Sequence, residues 1–149
     1  MSSLFDPVSL MNENLDANAT RRDPLPAGEV LAQITELKFA DGVSAKTGNP
    51  WNRMDISLEI TDPNYLAQYP GGAEKLTTQL GIMLDMNNGQ IATGPNKNIR
   101  LGRLREAANA NGKPLAALVG TFIRISIAHK PHYLRPEEIV DEVVAFTKP

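Results

Sequence analysis

The stretch SAKTGNPWNRMDISLEI, residues 44–60, begins as a loop and ends as a strand. Its first half contains Gly-Asn-Pro, which is typical of a turn. In its second half apolar and polar residues alternate, as they do in a strand with one buried face. The apolar face would consist of Met54, Ile56, Leu58 and Ile60. The opposite face would carry Trp51, Arg53, Asp55, Ser57 and Glu59.

Four further segments have strand character. The first, EVLAQITELKF (29–39), slips by one place after Ile34, which predicts a β-bulge or a bend. Turn residues in ADGVSAKTGNP (40–50) separate it from the second strand. The third strand is KLTTQLGIMLDM (75–86), in which Gly81 predicts another bulge or a tight bend. The fourth and fifth strands are TFIRISIAHK (121–130) and IVDEVVAF (139–146).

A helix is predicted for NIRLGRLREAANANG (98–112), and Asn98 can cap its start. It lies between the third and fourth strands. A meander of three strands, then a helix, then two strands is the order of the OB-fold, a five-stranded barrel. We therefore predict a mainly β protein with an OB-fold-like, five-stranded antiparallel barrel over residues 29–149 and an N-terminal arm over residues 1–28. A β-sandwich is the main alternative.

Aromatic and cationic side chains recur with the same spacing on two strands. Trp51 and Arg53 share one face of the second strand, and Phe122 and Arg124 share the less apolar face of the fourth. Proteins that bind single-stranded nucleic acid stack bases on aromatic rings and follow the phosphates with cations. The candidate nucleic-acid contacts are Lys38, Lys46, Trp51, Arg53, Arg100, Arg103, Phe122, Arg124 and Lys130.

The two aromatic–cation pairs also have a structural explanation. Trp51 could be a packing residue at the start of its strand, and Phe122 could belong to the core. Arg53 and Arg124 could form cross-strand ion pairs. The acids available for such pairs are Asp55 and Glu59.

The charge distribution fits either a cationic surface or a solvated helix with scattered surface charges. The formal net charge is −2, but eight basic residues and only one acid, Glu106, lie between Lys97 and Arg135. A weakly acidic protein can therefore carry one positive surface, because association depends on the local field. There is no cysteine, no apolar run long enough to span a membrane and no secretory signal pattern, so we expect an intracellular protein without disulfides.

Four segments carry a resemblance to known proteins: PLPAGEVLAQITELKF (24–39), KTGNPWNRMDISLEI (46–60), NIRLGRLREAANANG (98–112) and LVGTFIRISIAHK (118–130). Together they resemble a family of small bacteriophage proteins, which are predicted OB-folds described as single-stranded DNA-binding or of unknown function. The similarity covers roughly residues 26–146. It implies a protein that coats single-stranded DNA during phage replication or recombination in the host cytoplasm.

The resemblance also implies which residues contact DNA. The first loop and second strand would contribute Lys46, Trp51 and Arg53, and the fourth strand would contribute Phe122, Arg124 and Lys130. Many single-strand binders recruit phage or host replication proteins through a flexible acidic tail. Here the last acids precede or lie within the fifth strand and the sequence ends in FTKP, which argues against recruitment of that kind.

Patterns for catalysis and metal binding are weak. GVSAKTG (42–48) resembles a phosphate loop but lacks the glycine before Lys46 and does not open a helix. His129 and His132 have no cysteine or acid as an immediate neighbour, whereas a metal site requires three or four ligands. We therefore expect no enzyme, no catalytic residues, no metal and no cofactor.

A protein–protein interaction module is the alternative function, either a virion component or a replication or transcription adaptor on the same fold. One fold hosts many functions, so the fold does not separate the two hypotheses. The arm could serve self-association in a homo-oligomer in either case.

Overall fold

The computed structural model describes residues 7–11 and 22–149. Its strands are β1 (Gly28–Val43), β2 (Pro50–Ile60), β3 (Leu76–Leu84), β4 (Met86–Asn87), β5 (Gln90–Ile91), β6 (Phe122–Pro131) and β7 (Ile139–Thr147). Its helices are α1 (Pro7–Met11), α2 (Pro63–Leu66) and α3 (Ile99–Ala107), with a 3₁₀ turn at Leu115–Leu118. Five strands form one antiparallel sheet in the order β3-β2-β1-β6-β7, and β4 pairs with β5. The predictions of a mainly β protein, five main strands and a helix between the third and fourth of them are confirmed.

Alternation along the strands determines which sheet face is buried. Met54, Ile56, Leu58 and Ile60 of β2 are all fully buried, and so are Ile123 and Ile125 of β6. The opposite face of each strand is half-buried or exposed. We call the face that carries the odd-numbered residues of β2 the outer face of the sheet.

The long strand β1 connects the two halves of the sheet. Residues 28–33 pair with β6, and residues 33–43 pair with β2. The register with β2 shifts between Ile34 and Glu36, so the predicted bulge is confirmed and lies at Thr35. A bulge increases local twist, which allows one strand to serve two differently oriented partners.

Two local predictions were wrong. Asp41 and Gly42 do not form a turn, because β1 continues to Val43 and only residues 44–49 form the loop. Gly81 causes no bulge, since the register between β2 and β3 is continuous through it. Between β3 and α3 the chain forms the β4–β5 hairpin, whose turn residues Asn88 and Gly89 both have positive φ, as a two-residue hairpin turn requires.

Asn98 occupies the position before α3, but its side chain does not cap the helix. Its Nδ2 donates to the carbonyl oxygens of Asp85 and Ala92, each at 2.9 Å, and its Oδ1 accepts from the Asp85 amide at 2.8 Å. The Asn98 amide donates in turn to the Asp85 carboxylate. The side chain of Asn98 therefore ties the loop between β3 and α3 together, and only its backbone carbonyl contributes to the first turn of the helix, by accepting from the Gly102 amide at 3.0 Å.

The sheet edges β3 and β7 come close to each other, and α3 lies against both. No backbone ladder joins these two strands in the described part of the chain. Two arginines bridge the gap instead. Arg22 donates to the carbonyl oxygen of Thr77 on β3 and lies 3.8 Å from the carboxylate of Asp141 on β7. We call this junction the β3–β7 seam.

Part of the predicted arm, residues 1–6 and 12–21, lies outside the described residues. Its last residues pack on the sheet: Leu25 is fully buried, and its amide donates to Asp141 at 2.8 Å. Tyr65 of α2 donates to the Pro26 carbonyl at 2.6 Å. In the described ranges no helix is long and apolar enough to cross a membrane.

Candidate nucleic-acid interface

Trp51 lies at the loop end of β2, directly opposite Gly42 of β1. A β-carbon built on Gly42 would lie 2.5 Å from Cζ2 and 2.7 Å from Cε2 of the indole. The ring therefore packs against the backbone of β1 at a distance that only glycine allows. Trp51 remains half-buried.

Arg53 stands beside Trp51 on the same face, with its guanidinium carbon 5.2 Å from the centre of the indole ring. A cation this close to an aromatic ring is held by the ring quadrupole. The guanidinium also forms a bidentate ion pair with Asp55, in which Nε donates to Oδ1 at 2.7 Å and Nη2 donates to Oδ2 at 3.2 Å. The ion pair anticipated for Arg53 therefore exists, but it runs along β2 and not across strands.

Gly81 of β3 connects Arg53 with α3. A β-carbon built on Gly81 would lie 3.3 Å from Cδ of Arg53, so the arginine side chain passes close over this glycine. The carbonyl oxygen of Gly81 accepts a hydrogen bond of 3.0 Å from Arg100. The Arg100 guanidinium also lies 5.8 Å from the centre of the Phe146 ring on β7. Arg100 thus forms the second bridge across the β3–β7 seam.

Phe122 and Arg124 lie on the same outer face but far from Trp51. Phe122 is 45% exposed and pairs with Gln33, nine residues before Gly42 on β1. At about 3.3 Å per residue, that is a path of roughly 30 Å along the strand. Arg124 is half-buried and forms no ion pair within the described residues. The two aromatic–cation pairs are therefore two separate candidate contact sites on the outer face of the sheet.

The remaining predicted cations fall into two groups. Lys38 pairs with Glu36 at 4.0 Å, and Lys130 pairs with Glu142 at 3.1 Å. Lys46 is exposed on the β1–β2 loop, and Arg103 is exposed on α3. Neither of these last two has an ion-pair partner in the part of the chain that the structure describes.

Sequence reasoning missed several features of this surface. The sequence predicts a turn at Gly42 and a bulge or a tight bend at Gly81, whereas both glycines make room for side chains of β2. Phe39 follows Leu37 in the apolar alternation of β1, but it is 62% exposed. Tyr133, in the β6–β7 loop, is 86% exposed and stacks on His132 with ring centres 5.2 Å apart. Only the aromatic character of these loop residues could have drawn attention to them.

The described residues contain no group of three or more His, Cys, Asp or Glu that could hold a metal ion. Comparison with protein-family models, with curated proteins and with solved structures finds no match for this chain.

Proposed function

We propose that this protein is an OB-fold protein that binds single-stranded DNA without strong sequence preference. The observation that carries the proposal is the pair formed by Trp51 and Arg53, a half-buried tryptophan with a guanidinium 5.2 Å from its ring on the outer face of β2. In OB-folds the ligand lies on the face of strands two and three, beside the loop that joins strands one and two.

The strand arrangement supports the OB-fold. The OB-fold is a five-stranded barrel that is only partly closed. Here the Arg22 bridge joins Thr77 to Asp141 and the Arg100 bridge joins Gly81 to Phe146. Residue numbers increase in the same direction on both strands, so β3 and β7 run parallel at the seam. Side chains and α3 take the place of a ladder there, as expected for an incompletely closed barrel.

The extent of the outer face fits a strand of several nucleotides. The path along β1 between the residues opposite Trp51 and Phe122 is roughly 30 Å long. It would accommodate part of a site of about 4–16 nucleotides, the range for one OB-fold. Bases would stack on the two rings, and phosphates would contact the cations that have no acidic partner among the described residues. Lys46 and Arg124 are such cations.

Ion pairs limit the strength of the expected binding. Because the Asp55 carboxylate partly neutralises the charge of the Arg53 guanidinium, Arg53 attracts phosphates less than a free guanidinium would. With about three phosphate contacts, log K should fall with log salt concentration with a slope of about −2 for single-stranded DNA. The proposal therefore predicts moderate affinity that weakens clearly with salt.

We assign this binding to phage replication or recombination in the host cytoplasm, on the basis of the resemblance in the four sequence segments. The protein would act without a cofactor or catalytic residue, and phage replication proteins would be its further partners. A homo-oligomer is compatible with this role.

The direct test is a titration of fluorescein-labelled oligo(dT) at low and raised salt. We expect binding at low salt that weakens as salt increases. Trp51→Ala should reduce the affinity by about 1–3 kcal/mol, the value of one stacked base, and Trp51→Phe should retain most of it. Absence of binding at micromolar protein in low salt would refute the proposal, and equal affinities of Trp51→Ala and the parent protein would refute the assigned site.

A protein–protein interaction module is the second candidate, and one groove favours it. Between α3 and β7 the exposed side chains of Ile99 and Val144 lie beside Arg103 and Phe146. Apolar side chains with an unpaired cation suit an acidic peptide that also has apolar residues. A variant such as Val144→Asp should disturb such a partner but leave oligo(dT) binding unchanged.

A further inference from the structure

A pocket of about 310 Å³ lies at the same end of the sheet as Trp51. Its lining includes Phe39, Asp41, Asn52 and Met86, and also Arg53, whose guanidinium pairs with Asp55 on the outer face. Phe39 pairs with the buried Met54, and Asp41 pairs with Asn52, so these side chains belong to the inner face, beyond the end of the core. The volume is at the lower end of the range for small-molecule sites, about 300–1,000 Å³.

The pocket combines an apolar wall with two free polar groups. Phe39 is 62% exposed and Met86 is 36% exposed, although both are large apolar side chains. Asp41 and Asn52 face each other across β1 and β2, and within the described residues neither side chain has a hydrogen-bond partner. A carboxylate only accepts hydrogen bonds, whereas an amide both donates and accepts. An aromatic ring beside such groups can stack on a nucleobase and bind its edge.

The pocket can be reached from the outer face. The Asp41–Asn52 pair is the next pair along the ladder from Gly42 and Trp51. Beyond residue 33, β1 has no neighbouring strand on the side away from β2 among the described residues. A nucleic-acid strand that stacks one base on Trp51 can therefore pass this open edge and place a neighbouring base on the other side of the hairpin.

We propose that this pocket binds a single nucleobase that carries an exocyclic amino group, stacked on Phe39 and hydrogen-bonded to Asp41 and Asn52. The inference rests on the proposed function and adds a modest base preference to it. Cytosine fits because its N4 amino group donates to a carboxylate, whereas thymine has a carbonyl oxygen at that position. The carboxylate of Asp41 therefore disfavours thymine.

The test compares fluorescein-labelled oligo(dC) and oligo(dT) of about 12 nucleotides, a length within the site size of one OB-fold. The parent protein should bind oligo(dC) at least about fivefold more tightly, the effect of one good base contact. Phe39→Ala should weaken binding of oligo(dC) by roughly fivefold to a hundredfold, and Phe39→Leu should do so as well because it also lacks a ring. Asp41→Asn should bring the two affinities close together.

Glu36→Gln is the matched control for Asp41→Asn. It removes one negative charge from the same strand on the outer face, so it should change both affinities by the same factor and leave their ratio unchanged. Because the ratio is the measured quantity, general effects of charge cancel.

The outcomes separate this inference from the proposed function. Equal binding of oligo(dC) and oligo(dT), with no effect of Phe39→Ala or Asp41→Asn, would overturn the pocket but leave the Trp51 site in place. A parent protein that binds neither oligonucleotide would overturn both. Circular dichroism spectra of the variants should match the parent spectrum, since Phe39 and Asp41 are exposed.

Discussion

Gly42 lies directly beneath the indole of Trp51, so close that a methyl group on Gly42 would overlap the ring. The relationship ties the only tryptophan of the chain to a neighbouring strand and fixes the orientation of its ring. A platform for base stacking benefits from this constraint, because a ring that is already ordered loses less conformational entropy on binding.

Gly42→Ala should destabilise the protein by about 1–3 kcal/mol, the usual cost of forcing extra atoms into a packed site. Urea unfolding followed by circular dichroism would measure the change. Gly102→Ala is the matched control: a β-carbon there meets no atom within 4 Å, and Gly102 lies within α3, so the change should stabilise by roughly 0.5–1 kcal/mol. If Trp51→Ala restores most of the stability of Gly42→Ala, the indole is the source of the clash.

Asp55→Asn should strengthen the binding of oligo(dT). The substitution removes the carboxylate that pairs with Arg53, which leaves the guanidinium free for phosphate. We expect a gain of about 0.5–1 kcal/mol, in the range of an exposed ion pair. Fluorescence anisotropy at low salt would measure it, with Glu106→Gln on α3 as a control for the change in net charge. Equal gains in both variants would mean that only net charge matters.

Arg100→Gln should destabilise the fold by about 1–2 kcal/mol, because Gly81 loses a charge-assisted hydrogen bond and Phe146 loses a cation. The free energy of unfolding in urea would reveal the effect. Arg103→Gln removes the same charge from the same helix but breaks no contact in the described part of the chain, so it should be nearly neutral. Equal effects of the two substitutions would contradict a bridge at the seam.

The stability of the protein should fall as pH rises from about 10 to about 12. Burial, together with the charge of Asp141, raises the pKa of Tyr65 from 10.0 to about 12. In this window the unfolded chain releases the phenolic proton while the folded protein retains it. Stability therefore decreases with pH, by at most about 1.4 kcal/mol per pH unit from this group. Tyr65→Phe should lack this part of the decrease in urea unfolding, and parallel pH curves for the two proteins would contradict the prediction.

The fold was predictable where burial depends on local alternation. The period of two in β2 and β6 identified the buried face and placed Trp51 and Arg53 on the other side. The slip after Ile34 identified the bulge because each side chain changes face when the register shifts. These features need no knowledge of distant residues.

Predictions failed where a distant side chain decides the local structure. Asp-Gly at residues 41–42 is typical of a turn, but Trp51 packs on Gly42 and extends the ladder past it. Asn98 is a good helix cap by residue type, yet its side chain bonds to Asp85 and Ala92. The exposure of Phe39 could not be predicted, because alternation identifies a face but not where the core ends.

The arginine bridges have a consequence for how the molecule meets its own copies. A strand at the edge of a sheet presents unpaired carbonyl groups, which can template pairing with another chain. On β3 the oxygens of Thr77 and Gly81 already accept from Arg22 and Arg100. The same two guanidinium groups therefore protect this edge against pairing with the sheet edge of another copy.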